Sequence, residues 1–283
     1  MKIDLHMHTT VSDGTDMPDA IIHKVKAADI DMFAVTDHDA IKGCSIVKEH
    51  LGSDDPFFVS GIEFSCKDPF GKYHILGYGY DGTAPAISEM VAKGHSLRME
   101  KVGKRLELLR EKFGITFSEE DVAQLYANNN PGKPHIANLM LKYNYVKSKD
   151  EAFSDFLNRV NIPNAYILPQ EAIEAILQSG GIPILAHPFF GSGDELILGE
   201  EMEIRLKRMM DFGLQGVEGF YSGFSPLMLK EIQNLAEKYD LYVTAGSDYH
   251  GSNKMIQLGD NNLNDTDDAP EGLHRFLRDV HRR

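Results

Sequence analysis

Asp4-Leu5-His6-Met7-His8-Thr9 follows an apolar start and leads straight into Ser12-Asp13-Gly14. Side chains on a strand alternate between its two faces, so His6 and His8 point the same way and both imidazoles can reach one ion, while Met7 points into packing. A His-x-His pair standing alone is commonly two surface or capping histidines. This pair has company. His, Asp and Glu recur at the ends of later apolar runs, in Thr36-Asp37-His38-Asp39, Gly61-Ile62-Glu63, Tyr73-His74, Ala186-His187-Pro188 and Gly246-Ser247-Asp248-Tyr249-His250. Side chains at the carboxyl ends of parallel strands converge on one mouth, which lets residues far apart in the chain share a site.

Outward from that stretch the pattern alternates strand and helix. Strands are expected at Ile3 to His6, Met32 to Thr36, Phe57 to Ile62 and Tyr73 to Tyr78, the last two joined by a turn at Asp68-Pro69-Phe70-Gly71. Helices are expected from Met17 to Ala28, with Asp16 as N-cap and Pro18 in the first turn, and from Ala40 to Leu51. From 83 to 168 the character changes to helix: a long amphipathic run from Ile87 to Phe113, a break at Gly114, and shorter helices after Ser118, Lys133 and Ser148. The strand and helix rhythm then resumes, with strands at Ile182 to Ala186, Gly216 to Tyr221 and Leu241 to Ala245. Helices lie between them, an acidic loop spans Asp260 to Pro270, and a terminal helix ends in Arg282 and Arg283. This order predicts an α/β barrel or sheet, mostly parallel, formed by 1–82 and 169–283 and interrupted by an inserted helical cap at 83–168.

Composition narrows the function. The chain has 283 residues, 42% hydrophobic and 25% charged, and a net charge of −14. That charge opposes binding to long nucleic acid, which rests on many Lys and Arg contacts to phosphates. It leaves room for a small phosphorylated substrate, because bound divalent cations make a local positive patch. Cys44 and Cys66 are too few for a disulfide framework and read as free thiols. Without a basic stretch leading into an apolar run at the start, and without a spanning apolar segment, a cytoplasmic protein is expected, with no membrane partner and no obligate protein partner.

The candidate ligands are His6, His8, Asp13, His38, Glu63, His74, His187, Asp248 and His250, six imidazoles and three carboxylates, more than one ion can hold. Nitrogen and oxygen ligands without thiolate favour Mn²⁺, Zn²⁺ or Fe²⁺ over Ca²⁺ or Mg²⁺. Ions needing about four ligands each give two or three metals sharing a bridging carboxylate, with Glu63 the best placed bridge. Asp37 and Asp39 flank His38, either as partners that orient imidazoles or, for Asp39, as the cap of the next helix.

These segments resemble the PHP (polymerase and histidinol phosphatase) superfamily of metal-dependent phosphoesterases. Asp4 to Thr9, Thr36 to Asp39, Ala186 to Pro188 and Gly246 to Gly251 are similar to its four motifs, in order and across nearly the whole chain. The resemblance implies a distorted seven-stranded (β/α)7 TIM-like barrel and a trinuclear site. In it His6, His8, Glu63 and Asp248 hold one ion, Glu63, His74 and His187 a second, and Asp13, His38 and His250 a third. Ser12-Asp13-Gly14-Thr15, Tyr73 to Tyr78, Lys133-Pro134-His135-Ile136-Ala137 and Gly180 to Pro188 resemble more closely the bacterial TrpH-like or YciV-like branch. Its members hydrolyse nucleoside 3′,5′-bisphosphates or trim short RNA from the 5′ end. In that branch an Arg-Pro-His-Ile-Ala segment contributes to phosphate binding; Lys133 here keeps the charge and loses the bidentate fork.

The expected activity is therefore hydrolysis of phosphate monoesters or diesters of nucleotides by in-line attack of a metal-activated hydroxide. Mn²⁺ is the foremost cofactor, with Zn²⁺ or Fe²⁺ as alternatives. Glu63, His187, Asp248 and His250 are the candidate catalytic residues, and a bound water, His187 or His250 can protonate the leaving oxygen. Arg98, Lys133 and His135 are the candidate substrate-binding residues, Arg98 sharing a helix face with Arg105. The alternatives are a histidinol-phosphate phosphatase and a non-catalytic metal-binding module.

Overall fold

In the computed structural model, which describes residues 1–128, 130–160, 162, 165–191 and 195–282, seven strands follow one another in sequence order around a single sheet. They are β1 (Ile3–Asp4), β2 (Met32–Val35), β3 (Phe57–Asp68), β4 (Gly71–Tyr78), β5 (Ile182–Leu185), β6 (Gly216–Tyr221) and β7 (Tyr242–Gly246). β2 and β5 are buried at every position, as expected of strands covered on both faces. The pairs β1–β2, β2–β3, β5–β6 and β6–β7 are parallel, whereas β4 runs antiparallel to both β3 and β5.

The ends of the sheet meet, giving a nearly closed barrel. Ala245 O accepts from Leu5 N at 2.9 Å, His6 O from Asp248 N at 2.8 Å and Tyr249 O from His8 N at 2.8 Å. Buried Asp4 stitches the seam by accepting from the Ser247 amide at 2.9 Å, the Ser247 hydroxyl at 2.6 Å and the Gly259 amide at 2.7 Å. Gly246 makes the approach possible: a Cβ there would lie 2.2 Å from His6 Cβ and 2.6 Å from a Glu218 carboxylate oxygen.

Around the barrel lie α1 (Pro18–Ala27) and α2 (Lys42–His50), then, beyond the insert, α7 (Pro169–Gln178), α8 (Gly199–Asp211), α9 (Pro226–Lys238) and α10 (Glu271–Val280). The segment between β4 and α7 holds α3 (Pro85–Phe113), α4 (Glu119–Ala127), α5 (Lys133–Lys142) and α6 (Lys149–Glu151), the last continuing as a π-helical turn through Ala152–Leu157. Its own apolar cluster, with Val102, Leu109, Ile136, Met140 and Leu157, is separate from the barrel core around Leu5, Phe64, Tyr78, Ile184 and Phe276. α3 ends where Gly114 takes a left-handed φ of 68° and its amide turns back to Arg110 O. Ser118 caps α4 by accepting from the Asp121 amide, and Ser148 caps α6 through the Glu151 amide.

Several local expectations are corrected. Asp16 does not cap α1, whose N-cap is Met17; it takes Lys24 and the Tyr249 hydroxyl instead. Asp39 does not cap α2, which starts at Lys42 after Ile41. β3 does not stop at Ile62 but runs to Asp68, because pairing with β4 carries it past the apolar run. Arg283 lies outside the described residues. Among the described residues no helix is long and apolar enough to cross a membrane.

Candidate active site

His6 and His8 leave the end of β1 on the same face, and Asp13 follows on the loop. His38 lies just past β2, His187 just past β5, and Asp248 and His250 just past β7. Glu63 and His74 reach the same rim differently. Glu63 sits inside β3, and His74, registered against Ser65, lies in the first half of β4, whose reversed direction brings it to the mouth. His187 and Asp248 are held at positive φ, 25° and 59°, a region that costs energy for side-chain-bearing residues and recurs at functional sites.

Glu63 joins the set. One of its carboxylate oxygens lies 3.4 Å from His6 Nε2, 3.1 Å from His8 Nε2 and 3.1 Å from His38 Nδ1, and the other 2.8 Å from His74 Nδ1 and 3.2 Å from His187 Nε2. Asp248 Oδ1 is 3.6 Å from His6 Nε2, 3.4 Å from His8 Nε2 and 3.3 Å from His250 Nδ1. Asp13 faces His250 Nε2 at 3.3 Å, His8 Nδ1 at 3.7 Å and His38 Nε2 at 3.9 Å. The sequence-derived ligand set is thus brought into one cluster.

The donors fit divalent ions. Three groups have ligand atoms within 4.8 Å of one another: His8, Asp13, His38 and His250; His6, His8 and Asp248; and His38, Glu63 and His74. His6 Nε2 and His8 Nε2 are buried without a hydrogen-bond partner among the described residues, as expected of lone pairs aimed at a shared ion. The grouping differs in detail from the one the resemblance implies, since His8 also belongs with Asp13 and His38 also with Glu63.

Electrostatics favours ionised carboxylates. Burial alone would raise Glu63, but His74, His38 and His6 hold it well below its usual range. Asp13 and Asp248 are likewise lowered, against burial, by His250 with His38 and by Lys254 with His250. Burial disfavours a charged His8, yet Asp248 and Glu63 lift it to about 9. Burial lowers His38, His74 and His250.

Among the supports, sequence reasoning offered Asp37 and missed Glu218, Tyr221, Lys254 and Asn130. Glu218, fully buried on β6, accepts from the His187 amide at 2.8 Å and meets His6 Nδ1 at 2.9 Å, fixing that ring so that Nε2 faces the cluster. Its signal was a charge inside the apolar run Gly216 to Tyr221. Asp37 takes the Thr9 amide, the Thr9 hydroxyl and the Ser12 hydroxyl, and Ser12 Oγ lies 3.4 Å from His8 Nδ1. Asp248 Oδ2 accepts from the Tyr221 hydroxyl at 3.0 Å and from Lys254. Asn130 of the insert donates to the His38 carbonyl.

The cluster floors a cleft of ≈ 470 Å³. Arg98 lines it, with Nε and Nη2 at 3.1 and 2.6 Å from Asp39 Oδ2 and Nη2 at 3.0 Å from Ser65 Oγ. Lys133 lines it too and donates to Asn158 Oδ1 at 2.7 Å. The cleft wall includes Gly132, Lys133 and Pro134 but not His135, whose Nδ1 accepts from the Gly132 amide at 3.1 Å.

A PHP domain family model matches residues 4–159. The chain is 27% identical over 271 residues to a 5′-3′ exoribonuclease of Haemophilus influenzae, covering 92% of this chain and 94% of that protein. It is 28% identical over 258 residues to a phosphoribosyl 1,2-cyclic phosphate 1,2-diphosphodiesterase of Eggerthella lenta, covering 88% and 94%. With a 3′,5′-nucleoside bisphosphate phosphatase of Chromobacterium violaceum it shares 25% identity over 293 residues, covering 100% and 97%. A solved structure from Bifidobacterium adolescentis, provisionally described as a metal-dependent phosphoesterase, superposes with a TM-score of 0.81 at 27% identity, covering 98% of this chain and 95% of that one. With more than half of its length matched by the family model, the chain belongs to the PHP domain family.

Proposed function

We propose that this metal-dependent phosphoesterase hydrolyses phosphate esters of nucleotides, nucleoside 3′,5′-bisphosphates or short 5′-phosphorylated RNA, at the floor of the cleft. One observation carries the reading: imidazoles and carboxylates interlocked through Glu63 lie beneath walls bearing Arg98, Lys101, Arg105, Lys133 and Lys254, in a chain whose net charge is −14. Positive charge concentrated at one cleft of an acidic protein marks an anionic substrate.

His6, His8, Asp13, His38, Glu63, His74, His187, Asp248 and His250 hold two or three divalent ions, with Mn²⁺ foremost. Those ions supply Lewis acidity at the phosphoryl oxygens and lower the pKa of water toward neutrality. The protein does the rest. Glu63 spaces the ion sites, Glu218 and Ser12 set the imidazole rings, and Tyr221 with Lys254 fixes Asp248. A metal-bound water, or His187 or His250 when free of the ions, would hand a proton to the leaving oxygen. The 83–168 segment acts as a cap, with Arg98 and Lys133 facing the substrate phosphates.

A phosphate-release screen with Mn²⁺ tests this. Adenosine 3′,5′-bisphosphate and 5′-phosphorylated oligoribonucleotides are expected to exceed histidinol phosphate about tenfold or more in kcat/KM, roughly 1.4 kcal/mol. Equal turnover of histidinol phosphate would remove the nucleotide assignment. The Eggerthella lenta relative supports a second reading, cleavage of a cyclic phosphate diester, so that substrate class belongs in the same screen.

A further inference from the structure

Polar ties run from the 83–168 segment to the loops that carry ligands, and they converge on one ion group. From one side Asn130, 1% exposed, donates through Nδ2 to the His38 carbonyl. From another, the Lys149 ammonium of α6 donates to Asn253 Oδ1, and Asn253 Nδ2 donates to the Asp13 carbonyl at 2.6 Å. The Asn253 backbone amide also donates to the His250 carbonyl at 3.3 Å. Asp13, His38 and His250 are three of the four residues whose ligand atoms converge, His8 being the fourth.

The group of His6, His8 and Asp248 is supported differently. Glu218 sets His6, while Tyr221 and Lys254 hold Asp248 Oδ2, all of them barrel residues. Asn253 pins the Asp13 turn to the His250 loop, and the pin works in one orientation of its amide. With the Lys149 donor on its oxygen, its nitrogen faces the Asp13 carbonyl; turned over, it would set oxygen against oxygen. As a charge, Lys149 works against a cation bound beside Asp13, because like charges repel. What it gives the ion group is position.

We propose that the ion held by Asp13, His38 and His250 is coupled to the seating of the 83–168 segment, with Lys149 and Asn130 as positioning residues; this rests on the ion cluster of the phosphoesterase reading above. The seated segment aligns these ligands, and the ion in turn fixes the segment, since coupling between two binding events is reciprocal. The group of His6, His8 and Asp248 fills independently of it. The full set of ions is therefore present only when the segment that walls the cleft is in place.

The test titrates Mn²⁺ by calorimetry into the full chain, stripped with chelator, and into its Lys149→Met, Lys149→Arg and Asn130→Ala variants. Lys149→Met is expected to weaken one class of Mn²⁺ site about tenfold and to leave the rest unmoved, the size of effect that partners of metal ligands have. Loss of a positive charge alone would tighten binding, so the sign separates positioning from electrostatics. Lys149→Arg keeps a donor for Asn253 and restores the affinity. Asn130→Ala, acting on His38, weakens the same class, and it carries the test if Lys149→Met does not fold. Hydrogen exchange supplies the reciprocal arm: saturating Mn²⁺ slows exchange in α5 and α6 of the unsubstituted chain up to about tenfold, and much less in Lys149→Met. Unmoved or tightened binding in the variants, equal weakening of every class, or equal slowing of exchange in both chains overturns the coupling and leaves the phosphoesterase reading standing. A chain that binds no Mn²⁺ overturns both.

Discussion

Glu63 is the side chain on which the site turns, since its two oxygens face imidazoles from β4 and from the segments just past β1, β2 and β5. Replacing it with Gln removes the charge and sets an amide donor against nitrogen lone pairs. Glu63→Gln is expected to lose about 10³-fold or more in kcat, roughly 4 kcal/mol, with unchanged circular dichroism and a reduced metal content by mass spectrometry. Glu218 acts one step back, through His6, so Glu218→Gln is expected to weaken Mn²⁺ binding by about 10 to 100-fold, read by calorimetric titration. Lys101 gives a pH signature. Its folded pKa lies near 7, below the ordinary 10.5, so the unfolded chain holds more protons between those values, and the penalty of burying it fades as pH rises through that window. The melting-temperature advantage of Lys101→Met is therefore expected to be largest at pH 7 and to shrink toward pH 10, as measured by calorimetry.

At the scale of elements, α3 sets the 83–168 segment against the barrel, and Gly94 is where they touch. A Cβ at this position would meet Asp39 Cβ at 2.9 Å and Ile167 Cδ1 at 3.1 Å. Gly94→Val is expected to push the helix outward, cost about 1 to 3 kcal/mol in stability, and raise KM by loosening Arg98 from Asp39, checked by denaturant melts and steady-state kinetics. Such long-range contacts mark the limit of what the sequence discloses. His-x-His spacing, apolar runs ending in ligand-type residues and the glycine stop at Gly114 are local signals, and they recovered the seven strands, the long helix and the imidazoles and carboxylates that cluster at the barrel mouth. Asp39 read equally well as a cap because the competing partner, Arg98, lies 59 residues away. The extension of β3 to Asp68 depends on pairing with β4, which apolar periodicity does not register. Lys254 stands in a polar loop with no pattern to single it out, and only folding carries it to Asp248.

For the molecule as a whole, ion binding and stability are one equilibrium. Interlocked buried charges that ions neutralise only in the folded chain imply linkage, and Mn²⁺ at 100 times its dissociation constant is expected to add about 2.7 kcal/mol. A reversible rise in melting temperature with Mn²⁺, cancelled by chelator, would register it; no shift would count against a folded-state ion cluster. The seam joining Leu5 to Ala245 and His6 to Asp248 also decides which ion groups depend on closure of the barrel. Two of the three groups that could hold an ion, one with His8 and His250 and one with His6 and Asp248, draw on both sides of that seam, whereas the group of His38, Glu63 and His74 draws on neither.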